Sequence, residues 1–158
     1  MKPYFFFLLC SCLIFSEARA VGIEDVVGFI RAAQREVLIA APVLRVREIA
    51  SAVHNAIQKR HVRVRVITGV ESVRDAGSYW WTLQQVGAEI RTVATVKGFA
   101  LIVDHRVAIT GDLIGRILEP DEPNLAKIER GKLIVPLIET WEAVWSQAQT
   151  FSQPLGAK

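Results

Sequence analysis

Cysteine is almost absent from this sequence: there are two, Cys10 and Cys12, and both lie near the amino terminus. Residues 21–158 can therefore form no disulfide among themselves, and they offer neither a cysteine nucleophile nor a cysteine-ligated zinc site. The stability of this stretch must come from a packed apolar core, and its length suffices for one domain with such a core.

Histidine is also scarce, which limits the chemistry of the chain. The three are His54, His61 and His105, and none shows the His-x-His or His-x₃-His spacing of a metal site. The sequence also lacks the Gly-x-Ser-x-Gly elbow of serine hydrolases and a glycine-rich phosphate loop. We therefore predict neither a metal nor a cofactor. His105 follows Asp104 directly, but neighbouring side chains on an extended chain point apart, so we expect a solvated turn histidine.

Neither sign of charge dominates. The chain has 19 Lys and Arg residues against 16 Asp and Glu, a formal net charge of +3. This balance does not by itself indicate a nucleic acid or membrane partner. Basic side chains do cluster at Lys59, Arg60, Arg63 and Arg65. A contact with a phosphate backbone is one interpretation, and a solvated helix end with the polar face of one strand is the favoured one.

The first twenty residues are typical of a secretory signal peptide. Lys2 gives a basic start, residues 4–15 are almost entirely apolar, and Ala18-Arg19-Ala20 forms a small-x-small cleavage site. The apolar run is shorter than the ~20 residues that span a bilayer, so a transmembrane anchor is the weaker alternative. A lipoprotein signal at residues 9–12 is weaker still. We predict cleavage after Ala20, a periplasmic or secreted protein, and no stable membrane span after cleavage.

Apolar residues recur alternately at helical and strand spacing. Helical spacing covers residues 23–34, 46–60, 76–86 and 133–148, and strand-like runs cover residues 36–41, 62–67, 89–93, 99–103 and 106–110. Residues 113–131 contain prolines and are ambiguous. The order predicts an α/β fold in which a mixed, mostly parallel β-sheet carries helices on both faces. We assign this domain to residues 21–150 and a C-terminal tail to residues 151–158.

One stretch resembles the signature of the phospholipase D superfamily. It runs from Lys97 to Asp112 and reads Lys-Gly-Phe-Ala-Leu-Ile-Val-Asp-His-Arg-Val-Ala-Ile-Thr-Gly-Asp. The family signature is His-x-Lys, four residues, Asp, six residues, then Gly-Gly or Gly-Ser, and Asp104 and Gly111 are in register with it. Lys97 stands where the family has its nucleophilic His, Phe99 where it has a phosphate-binding Lys, and Asp112 where it has the second small residue.

The resemblance extends over about residues 23–147. Residues 59–67 resemble a strand entry of small, single-motif, exported bacterial nucleases, and residues 137–145 resemble their closing helix. The resemblance implies a phospholipase D/nuclease-like sandwich and a homodimer that brings two motifs together. It also implies a phosphodiester ligand, either a nucleic acid or a phospholipid headgroup. Those nucleases open with a strand before their first helix, and we expect this chain to lack that strand.

The family chemistry requires groups that this sequence does not have at the motif. In the family, one His forms a phosphohistidine, a second protonates the leaving oxygen, and Lys side chains hold the phosphate. Lys97 and Phe99 cannot take over these roles, the Asp112 carboxylate would repel an anion, and Ile114 replaces a usual Asn. We predict a catalytically degenerate protein that acts by binding. The alternatives are an active phosphodiesterase with a rearranged site and an unrelated binding module that shares only the sandwich.

Two motif positions have simpler structural interpretations. Asp104 is either a remnant of the motif or a turn residue held by hydrogen bonds to its own backbone, and the second is favoured. Gly111 is most simply a backbone position that tolerates no side chain.

Aromatic residues occur in two groups. Tyr79, Trp80 and Trp81 are consecutive, so they cannot all face inward on one helix, and at least one should approach the surface. An interface and a half-buried aromatic are equally favoured there. Trp141 and Trp145 are four residues apart beside other apolar positions and are expected in the core.

Overall fold

The computed structural model describes residues 18–111 and 125–151, and side chains are described for residues 21–111 and 127–151. Helices in this part of the chain are α1 (Ile23–Ala32), α2 (Arg47–Arg60), α3 (Trp80–Gln85) and α4 (Val135–Gln147). Its strands are β1 (Ala18–Ala20), β2 (Glu36–Ala40), β3 (Arg63–Gly69), β4 (Glu89–Val93), β5 (Phe99–Val103), β6 (Val107–Gly111), β7 (Leu125–Arg130) and β8 (Gln149–Thr150). Short 3₁₀ turns span Ser72–Arg74 and Gly131–Ile134.

The strands form one mixed sheet in the order β1-β7-β6-β5-β2-β3-β4-β8. The β2–β3 and β3–β4 pairs are parallel, whereas the other neighbouring pairs are antiparallel. The predicted mixed α/β fold is confirmed, but parallel pairing is confined to β2, β3 and β4. The physical reason is connectivity: helices α2 and α3 return the chain to the same sheet edge, whereas the turn after β5 produces a hairpin.

Both faces of the sheet are covered by helices, as predicted. Val37 and Ile39 of β2 face the larger core, which contains α1, α2 and α3, while Leu38 faces a second core beneath α4. A strand buried on both sides needs apolar residues at successive positions, which explains the unbroken Val-Leu-Ile run. Trp141 and Trp145 are 5% and 7% exposed in the second core, which confirms their predicted burial.

In the full-length chain a strand does precede the first helix, which the expectation did not include; it consists of the three residues that the predicted cleavage after Ala20 would remove. Strand β1 pairs antiparallel with β7, with Ala18 opposite Lys127 and Ala20 opposite Leu125. The same three residues form the predicted cleavage site. Strand β1 is held by backbone hydrogen bonds, so no alternation of apolar side chains in the sequence predicts it. Strand β7 was missed for a related reason, because it follows a proline-containing stretch of ambiguous pattern.

Helix ends are defined by local chemistry. Asp25 in the first turn of α1 accepts a hydrogen bond from the backbone N–H of Gly22 at 3.1 Å. Helix α2 ends at Arg60, and the following residue, His61, adopts a left-handed conformation. Phe151, which we assigned to the tail, packs against the larger core, and its N–H donates to the Ile90 carbonyl. Within residues 18–111 and 125–151, no helix has the length and apolarity of a bilayer span.

Candidate functional site

The motif strand β5 lies in the interior of the sheet, between β2 and β6. Its five residues extend about 17 Å at the usual rise of 3.4 Å per residue. Because β5 runs antiparallel to β2, Lys97 lies near the carboxyl ends of the parallel strands β2, β3 and β4, and Asp104 lies near their amino ends. The structure therefore places these two motif residues at opposite ends of the sheet.

Asp104 fastens one loop to another. Its carboxylate accepts hydrogen bonds from the backbone N–H groups of Gln34, Arg35 and Glu36, each at 2.8 Å. Burial acts to raise the pKa of Asp104, but the three N–H donors and the charge of Arg35 outweigh it and lower the pKa. The residue does occupy a left-handed turn, at φ 50°, yet its partners lie in the α1–β2 connection and at the first residue of β2, and not in that turn. Its geometry is that of a structural clamp.

Phe99 and Gly111 are cross-strand partners at the other end of β5. The Phe99 side chain is only 7% exposed and belongs to the larger core, on the face covered by α1 and α2. An apolar ring in the core explains why Phe99 stands where the family has a phosphate-binding Lys. Two further motif positions, Asp112 and Ile114, lie outside the described residues.

A pocket of about 280 Å³ opens beside Lys97, between α4 and the carboxyl ends of β2, β3 and β4. Its wall on α4 consists of Leu137, Thr140, Trp141 and Val144, which recur at one-face helical spacing. The remaining lining residues come from the sheet and the β4–β5 connection: Ala40, Ile67, Val93, Thr95, Val96, Lys97, Ala100 and Ile102. The pocket therefore lies beside one motif position, Lys97, on the sheet face opposite that of Phe99.

The chemistry of this pocket is largely apolar. Among its lining residues in the described part of the chain, Lys97 is the one ionisable group, and its side chain is exposed. None of the three histidines reaches it: His54 and His61 are exposed on and after α2, and His105 lies at the opposite sheet edge. No three potential metal-ligating side chains cluster within residues 18–111 and 125–151.

At the other end of the sheet, near the amino ends of β2 and β3, a charge network surrounds Arg65. Arg65 is 6% exposed, and its Nε donates to Glu36 Oε1 at 2.8 Å. Its two terminal nitrogens donate to the Glu142 carboxylate at 3.0 and 2.6 Å. The hydrogen bond from Arg65 is the main reason that the pKa of Glu142 is lowered. His105 Nε2 lies 3.2 Å from Glu36 Oε2 in the same network.

Aromatic rings complete this network. The Trp141 and Trp145 rings stack with centroids 5.0 Å apart, and the Arg65 guanidinium lies 4.7 Å from the Trp141 ring centre. Arg91 lies 4.5 Å from the Trp145 ring centre and donates to the Trp145 carbonyl oxygen at 2.7 Å. These distances suit cation–π contacts. Trp141 also lines the pocket, so one side chain belongs to both regions.

The favoured interpretation of the basic cluster was wrong for Arg65 and incomplete for its neighbours. Arg63 is half-exposed and pairs with Glu89 at 2.8 Å. Arg60 donates to the carbonyl oxygens of Ile30, Arg31 and Ala33 and so closes the end of α1. These internal partners leave Arg60 and Arg65 unsuited to a phosphate backbone. Lys59 is exposed on α2.

The consecutive aromatics behave as the sequence suggested. Trp80 is fully buried, whereas Tyr79 and Trp81 are half-buried. Tyr79 packs against the larger core. The structure therefore leaves Trp81 as a half-buried aromatic on α3, away from the motif.

Comparison with solved structures identifies the fold. Nuc from Salmonella typhimurium, a phospholipase D family member, superposes with a TM-score of 0.69 at 20% identity, covering 81% of this chain and 89% of that one. NucT from Helicobacter pylori gives a TM-score of 0.71 at 16% identity with the same coverage. The archaeal chromatin protein TrmBL2, described as showing a novel mode of DNA binding, gives 0.59 at 14%, covering 87% and 53%.

No family model and no curated protein matches the sequence of this chain. The structural likeness shows the phospholipase D fold. It agrees with the fold that the resemblance in the motif implies.

Proposed function

We propose that this chain is an exported protein of the phospholipase D fold that acts by binding and does not hydrolyse phosphodiesters. The observation that carries the proposal is the composition of the pocket at the start of β5, where the one ionisable lining residue described is an exposed lysine. An ammonium group has no lone pair with which to attack phosphorus, and the Lys97 side chain is exposed.

The rest of the motif supports the same proposal. Asp104 is fully engaged with three backbone N–H groups, and Phe99 lies in the core. Neither side chain can contact a ligand at the pocket without a rearrangement of the sheet. TrmBL2 indicates that this fold can also serve in a chromatin protein. A phosphodiester group, in a nucleic acid or a phospholipid headgroup, is the ligand that the fold alone suggests.

The test is hydrolysis of bis-p-nitrophenyl phosphate and of plasmid DNA, with chelator present and with a metal-independent phosphodiesterase as positive control. We expect turnover equal to buffer for the unaltered protein and for Lys97→Ala. Lys59→Ala is the matched control, because it removes one exposed lysine from the helix layer opposite α4. Turnover that disappears in Lys97→Ala but persists in Lys59→Ala would establish the alternative, a phosphodiesterase with a rearranged site.

Export is supported by the apolar run and the small-x-small site at Ala18 and Ala20. Amino-terminal sequencing of the protein from a periplasmic or culture-medium fraction should begin at Val21. Recovery of an intact Met1 in the membrane fraction would refute export by cleavage.

A further inference from the structure

The pocket stays open because its floor is made of small side chains. Ala40 of β2 and Ala100 of β5 are directly opposite each other in the sheet. Two methyl groups leave space beneath α4 at a position where larger residues would meet the helix. Deeper in the pocket, Ile67 and Ile102 are almost completely buried, and Trp141 closes the inner wall. The cavity is thus a notch in the smaller core that opens to the surface.

Among the described residues, the mouth of the pocket carries charge of one sign. Lys97 lines it and is exposed, and no carboxylate in the described residues lies within salt-bridge distance of its ammonium. The hydroxyl-bearing lining residues are Thr95 and Thr140, both exposed. A ligand that is apolar at one end and negatively charged at the other therefore matches the described lining of this site.

The size of the pocket narrows the ligand class further. Drug-sized ligands usually occupy pockets of about 300–1,000 Å³, so about 280 Å³ suits one unbranched chain better than a nucleotide or a two-chain lipid. We propose that the pocket binds a fatty acid, with its alkyl chain between Ala100 and α4 and its carboxylate at Lys97. This inference rests on the proposed function, because it concerns the same non-catalytic site; the pocket's lining favours a carboxylate with one alkyl chain over the phosphodiester that the fold alone suggests.

The experiment is calorimetric titration of the full processed protein with decanoate, below its micelle concentration. We expect saturable binding of one decanoate per chain, and binding about an order of magnitude weaker for octanoate, because each buried methylene contributes about fourfold in affinity. Decyltrimethylammonium carries the same chain with the opposite charge and should bind at least fivefold more weakly. Quenching or a shift of tryptophan emission should accompany binding, since Trp141 lines the pocket.

Four variants locate the ligand. Ala100→Leu should fill the floor and weaken decanoate binding more than tenfold. Val144→Glu alters a residue at the mouth that is 38% exposed, so the fold should tolerate it, and the added carboxylate should weaken binding about fivefold. Lys97→Ala should weaken binding two- to fivefold, which is the usual range for one exposed ion pair. Lys59→Ala, the charge-matched control, should bind like the unaltered protein.

Several results would overturn this ligand assignment. They are no saturable binding of decanoate, equal binding of the cationic amphiphile, unchanged affinity in both Ala100→Leu and Val144→Glu, or displacement of decanoate by a dinucleotide that has no alkyl chain. None of them implies hydrolysis, so the absence of catalysis can hold even when the fatty acid assignment fails. Turnover of a phosphodiester, in contrast, would refute the proposed function itself.

Discussion

Replacing Arg65 by alanine should destabilise the protein far more than replacing Arg63, although both are arginines of β3 that pair with glutamate. Arg65 is 6% exposed, bonded to Glu36 and Glu142, and lies over Trp141. Breaking a buried ion pair by removing one partner costs about 3–5 kcal/mol. The Glu142 side chain is 42% exposed and can regain water, so we expect the lower end, about 3 kcal/mol.

The assay is urea unfolding followed by tryptophan emission, together with thermal unfolding. A loss of about 3 kcal/mol should lower the Tm by roughly 10 °C in a domain of this size. Arg63→Ala is the matched control, because the side chains of Arg63 and of its partner Glu89 are 57% and 47% exposed. Exposed pairs contribute about 0–1 kcal/mol. Equal losses for the two variants would refute the view that Arg65 anchors α4 to the sheet.

Three further predictions address the motif itself. Asp104→Asn should lose about 2–3 kcal/mol at neutral pH, because one amide oxygen replaces two oxygens that serve three N–H donors. Because folding lowers the pKa of Asp104, its contribution to the free energy of unfolding is complete above the ordinary pKa of 3.8 and is lost as the pH falls below that value. The free energy of unfolding of Asp104→Asn, measured by urea titration, should therefore fall less steeply with acid than that of the unaltered protein. An equally steep fall would contradict the role of Asp104 as a clamp. Phe99→Lys, which restores the family residue, should destabilise by about 3 kcal/mol or more in thermal unfolding, because it buries an ammonium in the larger core. Light scattering at micromolar concentration should give a dimer mass, as the single-motif resemblance implies, and a strictly monomeric mass would refute the homodimer.

The apolar pattern predicted the interior of the sheet well. Val37, Leu38 and Ile39 form a run that only a strand buried on both faces requires, and the turn at Asp104 follows from two adjacent strand patterns. These features depend on neighbours in sequence. The pattern could not show that Asp104 bonds to residues 68–70 positions away.

The charge network and the pocket were out of reach for the same reason. Alternation correctly places Arg65 on the other face of the sheet from Val64 and Val66. Whether the face with Arg65 contacts water depends, however, on α4. Glu142, which pairs with Arg65, is 77 residues away in the chain. The open floor likewise depends on the register that sets Ala40 opposite Ala100, and a single sequence does not reveal that register.

The proposed export has a consequence for the three residues of β1. Cleavage after Ala20 would remove the whole of β1 and leave the outer edge of β7 without its backbone partners. An open strand edge can recruit another chain, and charged side chains are a common defence against this. Strand β7 carries Lys127 and Glu129, which form an ion pair, and Arg130. In the precursor, β1 would thus cover the outer edge of β7 and prevent its pairing with another chain. After cleavage, the charged side chains of β7 would disfavour that pairing instead.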